Sequence, residues 1–325
     1  MTDPTALPGS ESIMDRANSV SLPGSESVMD RAHTVPLPGS ESVVDRAHGV
    51  PYPGTEPVLA AVIQLCSGAD RAANLERAGH LMERAAGRGA GLLVLPENFS
   101  YMGQTEADKR RHREHLDDSP SLRFLMDFSR RRHLWIIGGS IPMLVADDDK
   151  STSSCFVLDP EGAIQARYDK IHLFDVSLGS GEPYRESAVI RPGRTPVSVP
   201  TPFGRVGLSI CYDLRFPELY RRLVGEGSTI LTVPSAFTLT TGKDHWELLL
   251  RARAVENFAY VLAPNQDGVH PGGRRTYGHS LIVDPWGTVV ARCPDGEGFA
   301  LAELDPARVK ACRDQIPCLT HRVIA

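Results

Sequence analysis

From Pro57 onward, apolar runs of strand length alternate with stretches whose apolar residues recur every three or four positions. Val58–Leu65 (VLAAVIQL) reads as a buried strand, and Asp70–Arg88 predicts a helix with Leu75, Ala78, Leu81, Met82 and Ala85 on one face. Leu92–Pro96 predicts a second strand, stopping at Glu97; Ser121–Arg132 predicts a helix, and Trp135–Ile141 a strand that opens a β-rich middle section. The strand series continues at Val206–Ile210, Ile230–Val233, Ala259–Ala263 and Leu281–Val283, with helices expected over Phe216–Val224 and His245–Phe258. This alternation predicts an α/β fold with helices packed on sheets, and residues 58–325 as one domain.

Residues 1–57 follow a different rule. One fifteen-residue unit occurs three times, starting LPGSES at Leu7, Leu22 and Leu37, and a truncated copy, YPGTEP, begins at Tyr52. Each unit is broken by Pro-Gly and offers too small an apolar face to offset the entropy of ordering it, which predicts a disordered tail. A multivalent docking tail for an unidentified partner is the alternative, because tandem weak ligands raise avidity.

With 41% hydrophobic and 23% charged residues, the 325-residue chain has ordinary globular composition. Its net charge of −5 resides entirely in residues 1–57, so the remainder has no basic field for nucleic acid or anionic lipid. No run reaches the roughly 18 apolar residues of a membrane helix, and no secretory signal opens the chain, so a cytoplasmic location is expected. Cys66, Cys155, Cys211, Cys293, Cys312 and Cys318 are scattered, which favours free thiols; without CxxC or HExxH, no metal site is expected. The glycine-rich pieces match neither nucleotide-binding fingerprint.

Three segments carry candidate chemistry. In LLVLPENF a buried strand delivers Glu97 at its end, among Leu, Pro and Phe, where desolvation should raise its pKa toward a general base's range. In RYDKIHLFD, Lys170 sits among apolar and aromatic residues. In VGLSICYDLRFPELYRR a strand ends at Cys211 and a helix begins shortly after, with Pro217 in its first turn. A cysteine at such a turn can meet backbone N–H groups aimed at an oxyanion, and a nearby cation would lower its pKa. Read singly, each has an inert alternative: a capping glutamate, a snorkelling lysine, a buried structural cysteine. A papain-like pairing of Cys211 with His172, His245, His270 or His279 lacks its flanking signature.

Taken in order, LPENF, DKIHLFD and GLSICYDLRFPELYR resemble the Glu-Lys-Cys motifs of the nitrilase superfamily, the carbon–nitrogen hydrolases, over essentially all of residues 58–325. The resemblance implies a four-layer α-β-β-α sandwich, no cofactor, and pairing into homodimers or larger assemblies through an outer helical layer. It also implies roles: Cys211 as nucleophile, Glu97 as base, Lys170 and the Tyr212 N–H on the oxyanion, and Glu186, in GEPYRESAVIRPG, as supporting carboxylate. The segment Gln266–Tyr277 resembles the branch whose activity is deaminated glutathione amidase, although Asn265-Gln266-Asp267 departs from its pattern. An ω-amidase acting on α-ketoglutaramate is the alternative, and a non-catalytic interaction protein working through the repeats a more distant one. Arg274 or Arg275, with Arg215, is expected to meet substrate carboxylates through the bidentate guanidinium fork. His245, Trp246 and Glu256 are expected to pack beneath the site.

Overall fold

The computed structural model describes residues 54–146, 148–178 and 184–324. The fifteen-residue repeats, and the disorder expected of them, lie outside the described residues.

In chain order, the first half contains β1 (Val58–Gln64), α1 (Arg71–Ala86), β2 (Leu92–Val94), the single turn α2 (Asp108–Arg111), α3 (Pro120–Arg132) and β3 (Trp135–Ile137). There follow β4 (Ile141–Leu144), β5 (Ser151–Leu158), β6 (Ile164–Asp169) and a small pair, β7 (Asp175–Val176) with β8 (Tyr184–Arg185). The second half runs β9 (Ser198–Thr201), β10 (Gly204–Leu208), α4 (Pro217–Gly225), β11 (Ile230–Thr232), α5 (Leu239–Asn257) and β12 (Tyr260–Ala263). It closes with the hairpin β13 (Asp267–Val269) and β14 (Arg275–Tyr277), then β15 (Leu281–Val283), β16 (Val289–Arg292), β17 (Gly298–Leu304) and α6 (Pro306–Gln315).

Two sheets result. The first has the order β17-β1-β2-β3-β5-β4, with β6 also on β5; the second has the order β16-β15-β12-β11-β10-β9. Each holds three parallel strands, β1-β2-β3 and β10-β11-β12, flanked by antiparallel ones. The period-two alternation of strand side chains sorts the first sheet's residues cleanly. Ala60, Val62, Leu92, Val94, Ile137, Cys155 and Val157 meet Val206, Leu208 and Ile230 of the second sheet. Their neighbours Ala61, Ile63, Leu93, Ile136, Phe156 and Leu158 pack under α1 and α3 instead. Gly207, between Val206 and Leu208, lies under Leu223 of α4, and α5 covers the same outer face. The layers are therefore α-β-β-α.

Local sequence explains the helix ends. The Asp70 side chain accepts from the Ala73 N–H and caps α1, whose buried face is Asn74, Ala78, Leu81, Met82 and Ala85. Proline occupies the first turn of α3 and of α4. Helix α5 starts six residues before the expected His245, because the Thr238 hydroxyl caps it by accepting from Thr241 N–H; Phe258, at φ 43°, ends it.

The expected strand Trp135–Ile141 is divided. At Gly138–Gly139 the chain bends around the turn that follows β2, and a Cβ on Gly139 would lie 2.1 Å from the Pro96 carbonyl oxygen. Gly139 also has φ +55°, so both space and backbone conformation call for glycine there.

Candidate active site

The C-terminal ends of β2 and β10 lie on facing sheets and open onto one cavity, about 460 Å³ with its solvent-filled mouth included. Glu97 follows β2 and is 3% exposed. Its turn is pinned by backbone: the Asn98 N–H donates to Ser140 Oγ at 2.9 Å, and Gln266 Nε2 donates to the Glu97 carbonyl at 2.9 Å. The Ala236 N–H then donates to Glu97 Oε2 at 3.0 Å, fixing the carboxylate plane.

Lys170 follows β6 and is 1% exposed. Its ammonium donates to Glu97 Oε1 at 2.8 Å and to Glu186 at 2.9 and 3.1 Å. Glu186 itself is held by the Phe174 N–H at 2.7 Å. Burial alone would drive the ammonium toward neutrality, but the fields of Glu186 and Glu97 outweigh it and hold Lys170 well above its ordinary pKa.

Cys211 heads a single tight turn, Cys211–Arg215, after β10. Its φ is +49°, a conformation that costs a non-glycine residue roughly 1 kcal/mol or more; its N–H donates to the Pro234 carbonyl at 2.9 Å. Burial of the thiol, with the Glu97 charge behind it, pushes its pKa up. This corrects the expected depression by a nearby cation: Lys170 does pull down, but more weakly. The expected rise of Glu97 is corrected too. Burial pushes that carboxyl up, yet Lys170, Lys109 and Arg274 together bring it below its ordinary value. The resting site is thus a neutral thiol beside an ionised carboxylate and an ammonium.

Of the expected binding residues, three line the cavity and one does not. The Tyr212 ring meets Phe174 and Phe216 edge-on, and among the described residues no acceptor takes its N–H. Arg215 is half-buried over the Phe237 ring, with only long contacts of 3.3 and 3.4 Å to His245 Nδ1. Arg274 is braced, donating to Glu106 at 3.1 Å and to the Ala236 carbonyl at 3.1 Å. Arg275 is exposed and away from the cavity, because β14 turns alternate side chains outward and Thr276 takes the inward place. Trp246 is fully buried, donating to the His279 carbonyl at 2.9 Å, and Glu256 pairs with Arg253 at 2.8 Å; His245, less expectedly, touches Arg215.

Glu106 and Lys109 also line the cavity, 2.7 Å apart, although they lie in the charge-rich run Glu106–Glu114, which reads as solvated surface. No pattern in the sequence distinguishes them from the arginines beside them. Among the described residues, the lining so holds four cations, Lys109, Lys170, Arg215 and Arg274, against three carboxylates, Glu97, Glu106 and Glu186. Arg215 is the cation without a carboxylate partner among the described residues. No histidine lines the cavity among the described residues, and His172 is engaged with Asp213 at 2.7 Å, which leaves a Cys-His pairing without a base.

The carbon–nitrogen hydrolase family model matches residues 59–314. A Synechocystis protein named deaminated glutathione amidase is 44% identical over 270 residues, covering 82% of this chain and 98% of that one. Among solved structures, the C. elegans NitFhit protein superposes with a TM-score of 0.77 at 36% identity, over 83% of this chain and 66% of that one. Saccharomyces cerevisiae Nit3, a member of branch 10 of the nitrilase superfamily, superposes with a TM-score of 0.74 at 33% identity, over 81% and 95%.

Proposed function

The chain belongs to the carbon–nitrogen hydrolase family, and from that premise we propose that it is a thiol amidase cleaving deaminated glutathione to 2-oxoglutarate and cysteinylglycine. The observation that carries the chemistry is Lys170 donating to both Glu97 and Glu186 in the cavity that holds Cys211. The relatives' name supports the substrate, and so does Arg215, the lining cation without a carboxylate partner among the described residues: the acyl group of deaminated glutathione carries one carboxylate, which suits it.

Glu97 accepts the thiol proton as Sγ bonds to the amide carbon, and the carbonyl π pair moves to oxygen. A raised thiol and a lowered carboxyl make that transfer uphill by itself. It becomes favourable only in concert with attack, as negative charge reaches an oxygen met by the Tyr212 N–H and the Lys170 ammonium. The C–N bond then breaks, and Glu97 returns its proton to the departing amine. Water, deprotonated by Glu97, adds to the thioester; Cys211 leaves and takes the proton back. Glu186 keeps Lys170 charged and oriented throughout.

α-Ketoglutaramate offers the same acyl group with ammonia as leaving group, so the two amides are compared directly. Purified protein should release cysteinylglycine from deaminated glutathione much faster than ammonia from α-ketoglutaramate, with Cys211→Ala as blank. The opposite preference would make it an ω-amidase.

We also take residues 58–325 as the catalytic domain, since β1 begins at Val58 and the family match at residue 59. A homodimer is supported by apolar side chains left exposed on and beside α5, among them Leu248, Val255 and Trp286. Leu248→Glu should yield a monomer in light scattering. No helix among the described residues is long and apolar enough to cross a membrane, and the free cysteines suit the reducing cytoplasm.

A further inference from the structure

Asp213 lies two residues beyond Cys211, is fully buried, and does not line the cavity. Its carboxylate nevertheless has four partners. Oδ2 accepts from the Tyr168 hydroxyl at 2.7 Å and the Ile210 N–H at 2.8 Å; Oδ1 accepts from the His172 N–H at 3.0 Å and meets His172 Nδ1 at 2.7 Å. A carboxylate only accepts, so the His172 ring proton is on Nδ1. The imidazole is clamped from its other side by stacking on Phe216, with ring centroids 3.6 Å apart.

The identity of these partners is the informative part. Tyr168 and His172 flank Lys170 by two residues on either side, while Ile210 immediately precedes Cys211. Lys170 is delivered by the first sheet and Cys211 by the second. One buried side chain therefore ties the two segments whose separation decides whether an oxyanion on Cys211 falls within reach of the Lys170 ammonium. The Cys211 backbone, at φ +49°, also needs an external restraint, and the Ile210–Asp213 bond closes the turn around it.

We propose that Asp213 is a positioning residue for acylation, setting the register of Lys170 against Cys211 through Tyr168 and His172. This rests on the Glu-Lys-Cys chemistry above but not on the identity of the amide. Tyr168→Phe removes one leg of the clamp while keeping the ring's volume. Asp213→Asn keeps the side chain's shape but presents an NH2 group to neighbours that are donors.

The test compares both single variants and the double variant with the wild type in two assays. One is hydrolysis of deaminated glutathione. The other is alkylation of Cys211 by iodoacetamide, in which Sγ displaces iodide and gives up its proton, followed on the Cys211 peptide by mass spectrometry. The folded fraction of each variant, read by circular dichroism against the wild type, counts competent sites, and both rates are divided by it. We expect kcat and the alkylation rate per competent site to fall about tenfold in each single variant with KM held within about twofold, the split of an interaction used in reaching the transition state. The double variant should be no slower than Asp213→Asn, because the two changes break one network. Wild-type rates per competent site in both variants, accompanied by a lower melting temperature, would assign Asp213 a structural role and overturn the proposal. If Asp213→Asn fails to fold, Tyr168→Phe decides by the same criteria. If the wild type does not cleave deaminated glutathione, the substrate reading fails, and the alkylation rates still decide the role of Asp213.

Discussion

Replacing Arg215 with Met removes a cation while keeping an unbranched apolar stem over Phe237. In the free enzyme little is lost: Arg215 has no ion pair among the described residues, its His245 contacts are long, and its ring contact at 5.3 Å is worth about 0.5–1 kcal/mol. With substrate bound, a bidentate guanidinium–carboxylate pair supplies two charge-assisted hydrogen bonds of about 1.5–3 kcal/mol each. The difference leaves about 2–5 kcal/mol, or roughly 30- to 3,000-fold in kcat/KM at 1.4 kcal/mol per decade. Steady-state kinetics on deaminated glutathione and on the uncharged amide butyramide separate this from general damage. The anionic substrate should lose by that factor while the neutral one changes less than about threefold and the melting temperature holds. Arg215→Lys should recover only part of the loss, since the point charge lacks the fork. Equal losses on both amides would refute the assignment of Arg215 to the substrate carboxylate.

Arg275→Ala, at the exposed position beside Arg274, should leave kcat/KM for the same substrate within about twofold. Gly139→Ala drives a methyl group into the Pro96 carbonyl and moves the Glu97 turn, so kcat should fall with a melting temperature several degrees lower, measured by calorimetry. Glu106 gives a pH-dependent signature. Burial pushes it up, but Lys109 and Arg274 bring it down to about 2 from an ordinary 4.5, so its contribution is present above pH 4.5 and lost as pH falls toward 2. That contribution is about 3 kcal/mol. Glu106→Gln, by stranding two buried cations, should lower the melting temperature at neutral pH and flatten its decline between pH 4.5 and 2.

The elements that position Glu97 and Cys211 were legible because each is a short apolar run stopped by a polar residue, a pattern local to the chain. The directions of their pKa shifts were not. Sequence neighbours of Glu97 are Leu, Pro and Phe, which argue for desolvation, whereas the cations that outweigh it come from positions 109, 170 and 274 and meet only in the folded chain. The parity of Arg274 and Arg275 was hidden for a simpler reason: β14 is three residues long, too short to display an alternation. Lys109 illustrates a third limit. Its run reads as solvated, and only the return of the Arg274 loop beside Glu106 makes a buried salt bridge of it.

Because β2 and β6 belong to one sheet and β10 to the other, neither sheet by itself brings the nucleophile together with its base. Turnover is thereby a report on tertiary assembly, silent in any intermediate that has formed a single sheet.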